Sequence, residues 1–259
     1  MTTRSFVAIG DSFTEGLDDP YPDGASFCGW ADLVARSLAT EASAAGGGPL
    51  HYANLAIRGR LFTQVVDEQV PIGLDMGPDL FAFAAGGNDA LRRGFDPDRL
   101  LERFEHVVVT LRATGADVLL FRFIDLSRRL PGKRVLRRRV EVLNDGVTDV
   151  GLRHRARVAD LWTDHAFDNP RMWSADRLHL STTGHRRVAA HALAALGRTP
   201  DPTWLAPLAP EKPVPWGAAR RADVRWARDH LGPWLGRRLS GRSSGDTRTA
   251  KRPVLAPMD

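Results

Sequence analysis

Five short apolar runs punctuate the chain, and between them lie longer stretches in which apolar residues recur every three or four positions. The runs are 5–9 (Ser-Phe-Val-Ala-Ile), 51–55, 79–84 (Asp-Leu-Phe-Ala-Phe-Ala), 117–122 (Asp-Val-Leu-Leu-Phe-Arg) and 157–161. Their length and near-continuous apolarity suit strands covered on both faces. The intervening segments 27–39, 61–70, 97–113, 134–153 and 183–196 carry the spacing of amphipathic helices. Strand and helix alternating in this way predict an α/β protein, a three-layer α/β/α sandwich around a five-stranded parallel sheet. An open parallel sheet binds ligands just beyond the carboxyl ends of its strands, so the residues after each run are the first place to look for chemistry.

Beyond residue 197 the pattern changes. Prolines at 200, 202, 207, 210, 213 and 215 interrupt regular structure, with Trp204 and Trp216 among them. A helical pattern returns over 218–239, with Val224, Ala227, Leu231, Trp234 and Leu235 on one side and many Arg residues elsewhere, until Gly232-Pro233 breaks or kinks it. The last twenty residues are rich in Ser, Gly, Arg and Thr and read as disordered. The expected organisation is therefore a main α/β domain over 1–199, a Pro/Trp-rich extension with a basic amphipathic helix over 200–239, and a tail over 240–259. The helix fits best as a segment docked on the body. Its Arg face and Trp anchors would also suit a weak contact with a partner protein or an anionic membrane surface through 218–239.

Composition narrows the class. With 259 residues and 43% hydrophobic content the chain can bury a sizeable core. No apolar stretch approaches the length of a membrane span, and the first strand begins too early to leave room for a secretory leader, so a cytoplasmic location is expected. The single Cys28 excludes an internal disulfide, and beside Phe27 and Trp30 it reads as a small core residue. The net charge of +5 comes from the tail: residues 217–259 hold ten Lys/Arg against four Asp/Glu, leaving the rest one charge negative. A nucleic-acid partner is therefore not expected. The densest basic run in the body, 128–139, reads as a solvated loop and helix start.

Four strand ends carry unusual residues. Gly10-Asp11-Ser12 follows the first, Asn54-Leu55-Ala56-Ile57-Arg58-Gly59 the second and Gly86-Gly87-Asn88-Asp89 the third; Asp176-Arg177-Leu178-His179 lies beyond the fifth. A serine hydroxyl needs an imidazole to take its proton and a third group to orient that imidazole. Ser12, His179 and Asp176 can fill these roles.

In the order and placement of these four blocks the chain resembles the GDSL-type, or SGNH, hydrolase family over about residues 5–197. The resemblance implies the flavodoxin-like fold of that family and an ester hydrolase of esterase, lipase or deacetylase type. Ser12 would be the nucleophile, His179 the base and Asp176 the group orienting it. The oxyanion hole would consist of the Ser12 and Gly59 N–H groups and the Asn88 amide, each donor worth roughly 3–4 kcal/mol of barrier. Leu180-Ser181-Thr182-Thr183-Gly184-His185 matches the family's last block, with Ser181 or Thr182 placed to cap the final helix. Phe13 stands where the family name has Leu, and either fills an apolar slot. Asp11 and Asp89 read as loop supports, since Asx side chains stabilise such turns.

No cofactor or metal is expected. The remaining histidines lack ligand-like spacing, the histidines and bridging carboxylates of a two-metal phosphoesterase are missing, and no phosphate-binding glycine loop follows the first strand. Nor is Ser12 in the Gly-x-Ser-x-Gly elbow of α/β-hydrolases. The substrate would be a small-molecule, lipid or carbohydrate ester. Acyl transfer to an alcohol would use the same residues, and a silent glycan- or lipid-binding module is the alternative of a different class.

Overall fold

The structure, a computed structural model, describes residues 3–24, 26–130, 132–209, 215–233, 236 and 243–258. Strands β1 (Ser5–Gly10), β2 (His51–Asn54), β3 (Leu80–Ala84), β4 (Asp117–Arg122) and β5 (Arg157–Asp160) run parallel, as their apolar runs predict. Between and after them come α1 (Ser12–Glu15), α2 (Gly29–Ala44), α3 (Phe62–Met76), α4 (Gly87–Ala90), α5 (Pro97–Ala113), α6 (Lys133–Arg153), α7 (Thr182–Ala195) and α8 (Trp216–Trp226). The sheet order is β5-β4-β3-β1-β2-β6, with β1 at its centre and the crossover on either side of it.

The alternation within β1 divides the core. Phe6 and Ala8 face a cluster with Trp30, Val34 and Leu38 of α2 and Val188 and Leu193 of α7. Val7 and Ile9 face Phe62 and Val65 of α3, Phe104 and Val108 of α5 and Leu143 and Val147 of α6. All four β1 side chains are fully buried. Helices thus cover both faces, and the strand ends are left free for loops.

Three features depart from the sequence reading. The sheet has six strands: β6 (Arg252–Pro257) pairs antiparallel with β2, with Tyr52 opposite Ala256. Disorder expected over 240–259 therefore does not hold for this part of the tail, while 240–242 lie outside the described residues. Pro253 and Pro257 argue against a central strand but are tolerated at an edge, and Val254-Leu255 is too short a run to signal a strand alone. Second, α3 continues through Pro71 to Met76. Proline inside a helix costs about 3 kcal/mol, and here Val70 just before it and Gly73 just after it are both buried. Third, α8 begins at Trp216 and passes into a wider π-type turn over Ala227–Leu231. Pro233 follows after Gly232, and its missing N–H and ring favour such a widened turn. Trp234 and Leu235, expected on the same helix, lie outside the described residues.

Among the described residues, no helix is long and apolar enough to cross a membrane. In the basic run 128–139, Lys133, Arg134, Arg137 and Arg138 are exposed, as a solvated helix start predicts; Arg137 pairs with Glu141 and Asp125, and the Arg139 guanidinium donates to backbone carbonyls of the segment 90–93.

Candidate active site

The four loops meet at the carboxyl edge of the sheet. β1 ends at Gly10, where a Cβ would stand 2.6 Å from the Ala84 carbonyl of the neighbouring strand, so only glycine lets β1 and β3 deliver their loops side by side. The chain then turns directly into α1. The Asp11 carboxylate caps this turn by accepting the Phe13 N–H at 3.0 Å. Ser12 is thereby raised above the sheet edge, and Phe13 packs beneath it against Trp30 and Phe121, both with ring centroids 5.5 Å away.

Ser12 Oγ lies 3.0 Å from His179 Nε2, and His179 Nδ1 lies 2.5 Å from Asp176 Oδ2. The loop around Asp176 is tight enough for its Oδ1 to accept the Leu178 and His179 N–H groups, each at 2.9 Å. That fixes the carboxylate against the ring. Burial by itself would raise Asp176, but the His179 hydrogen bond and charge and these N–H donors outweigh it and hold the carboxyl well below its ordinary range. Burial works on His179 in the opposite sense, disfavouring its cation. The Asp176 bond and charge overcome that, and Asp18 and Asp11 add to them, so the imidazole sits above its usual 6.5.

Asp18 and Ser174 are participants that no sequence motif marks. Ser174 Oγ lies 2.7 Å from both Asp18 Oδ2 and Asp176 Oδ1, and Asp18 Oδ2 is 4.0 Å from His179 Nδ1. Asp18 is one of the few non-glycine residues at positive φ (71°), a conformation Asp tolerates better than most. Asp18, Asp176 and His179 could offer three ligand atoms within 4.8 Å of one another, but the hydrogen bonds above already occupy them.

Gly59 has φ of 73°, and a side chain there would also collide with Ser243. Its loop is pinned to α1 by Glu15, which accepts the Arg58 backbone N–H at 2.8 Å and pairs with the Arg58 guanidinium, both side chains largely buried. Nothing in the sequence foretells this pair. Asn88 Nδ2 donates to Asp11 Oδ2 and to the Arg60 carbonyl, both at 3.0 Å. The Asp11 carboxyl is pushed up to about 6, chiefly by burial. Asp89 accepts the Phe62 N–H at 2.8 Å, joining the third loop to the start of α3. Both aspartates thus support loops. Ser12, Gly59, Asn88, Asp176 and His179 line one cavity of about 300 Å³. Ser181 caps α7 by accepting the Gly184 N–H at 3.2 Å. His185 is a core histidine, accepting from the Trp30 N–H, and burial lowers it to about 4.

Residues 8–187 match the GDSL-like Lipase/Acylhydrolase family. The chain belongs to this family. It is accordingly a carboxylic ester hydrolase. No curated protein sequence matches it. Solved structures similar to this GDSL-like acylhydrolase include TesA (22% identical, TM-score 0.55, covering 74% of this chain and 97% of that one). LAE5, an alpha/beta hydrolase enzyme from the metagenome of Lake Arreo, Spain, is 22% identical at a TM-score of 0.60, over 74% of this chain and 94% of its own. A variant of Axe2, an acetyl xylan esterase from Geobacillus stearothermophilus, is 18% identical at 0.60, over 76% and 95%. These likenesses carry the fold. They use nearly all of those chains yet leave about a quarter of the GDSL-like acylhydrolase without a counterpart.

Proposed function

We propose that this GDSL-like acylhydrolase cleaves its ester through an acyl-Ser12 intermediate. The observation that supports the reading is the unbroken chain Asp176–His179–Ser12, opening onto a cavity that Gly59 and Asn88 also line. His179 Nε2 takes the Ser12 proton as Oγ bonds to the acyl carbon, and the carbonyl electron pair moves onto oxygen. The backbone N–H groups of Ser12 and Gly59 and the Asn88 amide face that oxyanion. Both Asn88 amide protons are engaged, so the oxyanion competes with the Arg60 carbonyl for one of them while Asp11 keeps the amide aimed. Collapse expels the alcohol, which takes the proton from His179. Water then repeats the sequence, giving its proton to His179 as it attacks the acyl carbon, and Ser12 Oγ leaves with that proton.

The expected test outcome is that Ser12→Ala and His179→Ala each lower kcat on p-nitrophenyl butyrate by about 10⁴-fold or more. Because His179 must be neutral to act and its pKa is raised, the acidic limb of the native profile lies above pH 6.5. Comparable activity in the native chain and both variants overturns the assignment.

A further inference from the structure

The stretch that follows the matched region reaches back to the site. Trp226, at the end of α8, donates its indole N–H to the Asp176 backbone carbonyl at 2.7 Å, and its ring lies under the Arg177 guanidinium at 4.9 Å. Arg177 in turn pairs with Asp223 at 2.8 Å. On the opposite side, the turn carrying Ser243 and Ser244 lies against Gly59. Together these segments wall the 300 Å³ cavity above Ser12, to which they contribute Asp229, His230, Ser243 and Ser244 beside Leu231 and Trp226.

A second cavity, of about 100 Å³, opens from the same Ser12, Asn88 and His179 toward the interior. It is lined by Phe13, Leu91, Phe123, Leu136 and Leu143, all from the body of the fold. An ester carbonyl held at Ser12 sends its two halves into these two spaces. A hydroxylated group forced into the inner one would lose its hydrogen bonds to water without replacement. The outer one offers carboxylate and imidazole acceptors, two hydroxyls and an aromatic ring, the mixture that binds the polar edges and apolar faces of a polyol. Asp229 is paired with Arg228 at 2.6 Å, but a carboxylate has acceptor sites to spare.

We propose that the substrate joins an apolar acyl group to a polyhydroxylated alcohol, and that the C-terminal extension recognises the alcohol through Asp229, His230, Ser243 and Ser244. The proposal rests on the acyl-Ser12 reading. The test holds the acyl group constant, comparing kcat/KM for methyl 6-O-hexanoyl glucoside and for ethyl hexanoate in the full chain, the Asp229→Ala/His230→Ala double variant and Ser244→Ala. Fluorophosphonate labelling of Ser12 checks that each variant keeps a formed site. The native enzyme is expected to prefer the sugar ester by about tenfold or more, and the double variant to lose most of that preference; Ser244→Ala loses a smaller part. A native ratio near one, or a ratio that both variants leave unmoved while Ser12 still labels, overturns the role of the extension and leaves the acyl-serine reading intact. Failure of Ser12 to label in a native chain that cleaves neither ester overturns the acyl-serine reading itself.

Discussion

The loops that carry Ser12, Gly59, Asn88 and His179 are tied to one another by buried polar contacts, whereas the segments 216–233 and 243–246 meet the same cavity through more exposed ones. Glu15–Arg58 is 10% and 14% exposed, against 43% and 36% for Asp223–Arg177. The contact of Arg60 with Asp246, at 3.8 Å, is longer still, with the Asp side chain half in solvent. The firm attachment of the extension comes further along. Lys251 inserts its ammonium among the Asp32 carboxylate and the Phe27 and Cys28 carbonyls, at 2.9, 2.8 and 2.6 Å. β6 then closes the sheet edge. The difference teaches that the candidate catalytic groups are held from beneath by the core, while the wall above them is fastened chiefly by a buckle outside the site. Such a wall can change its side chains without disturbing the chemistry.

The largest effect should come from opening the buckle. Asp32 is almost fully buried and receives Tyr21, Tyr52 and Lys251. Lys251→Met removes its cation and is expected to cost about 3–5 kcal/mol of unfolding free energy in a urea titration. A loss under about 1 kcal/mol would place the firm attachment elsewhere. On the other side of the comparison, Asn88→Ala leaves the core untouched and removes one of the proposed oxyanion donors. Its kcat on p-nitrophenyl butyrate is expected to fall by about 10²–10³-fold with little change in KM. A change confined to KM would mean the amide serves only to hold the loops. The smallest effect concerns Asp18. Its carboxylate helps raise His179, so Asp18→Asn moves the acidic limb of the pH–rate profile to lower pH, because the base then loses its proton earlier as pH rises. An unmoved limb would leave Asp176 and Asp11 as the carboxylates that raise His179.

The sheet and the four motif loops were legible because they depend on periodicity and on local chemistry. Each parallel strand coincides with an apolar run; three of the loops follow one directly, and the fourth comes after two short turns beyond β5. What escaped depends on partners distant in sequence. Nothing in Glu15 or Arg58 alone announces that they will meet under the Gly59 loop, and Ser174 is an ordinary serine until Asp18 and Asp176 flank it. α3 runs past Pro71 because burial of Val70 and Gly73 overrides a local breaker. β6 escaped because its pairing with β2 supplies order that six residues with two prolines do not encode. The extension was legible as a helix, though not as a wall of the site, since Trp226 reads equally well as a docking anchor or a surface aromatic until its indole finds the Asp176 carbonyl.

The position of Lys251 also sets an order of assembly. Its partner Phe27 lies 224 positions earlier in the chain, and closing so long a loop is slow compared with pairing the strands between them. On a ribosome, β1 to β5 and the segment bearing His179 have all emerged before Lys251 is added, so Ser12 can meet His179 while the growing polypeptide still lacks its last strand. Under the roles proposed for Ser12 and for the extension, cleavage matures ahead of selectivity, and the fastening of β6 is the step that separates the two.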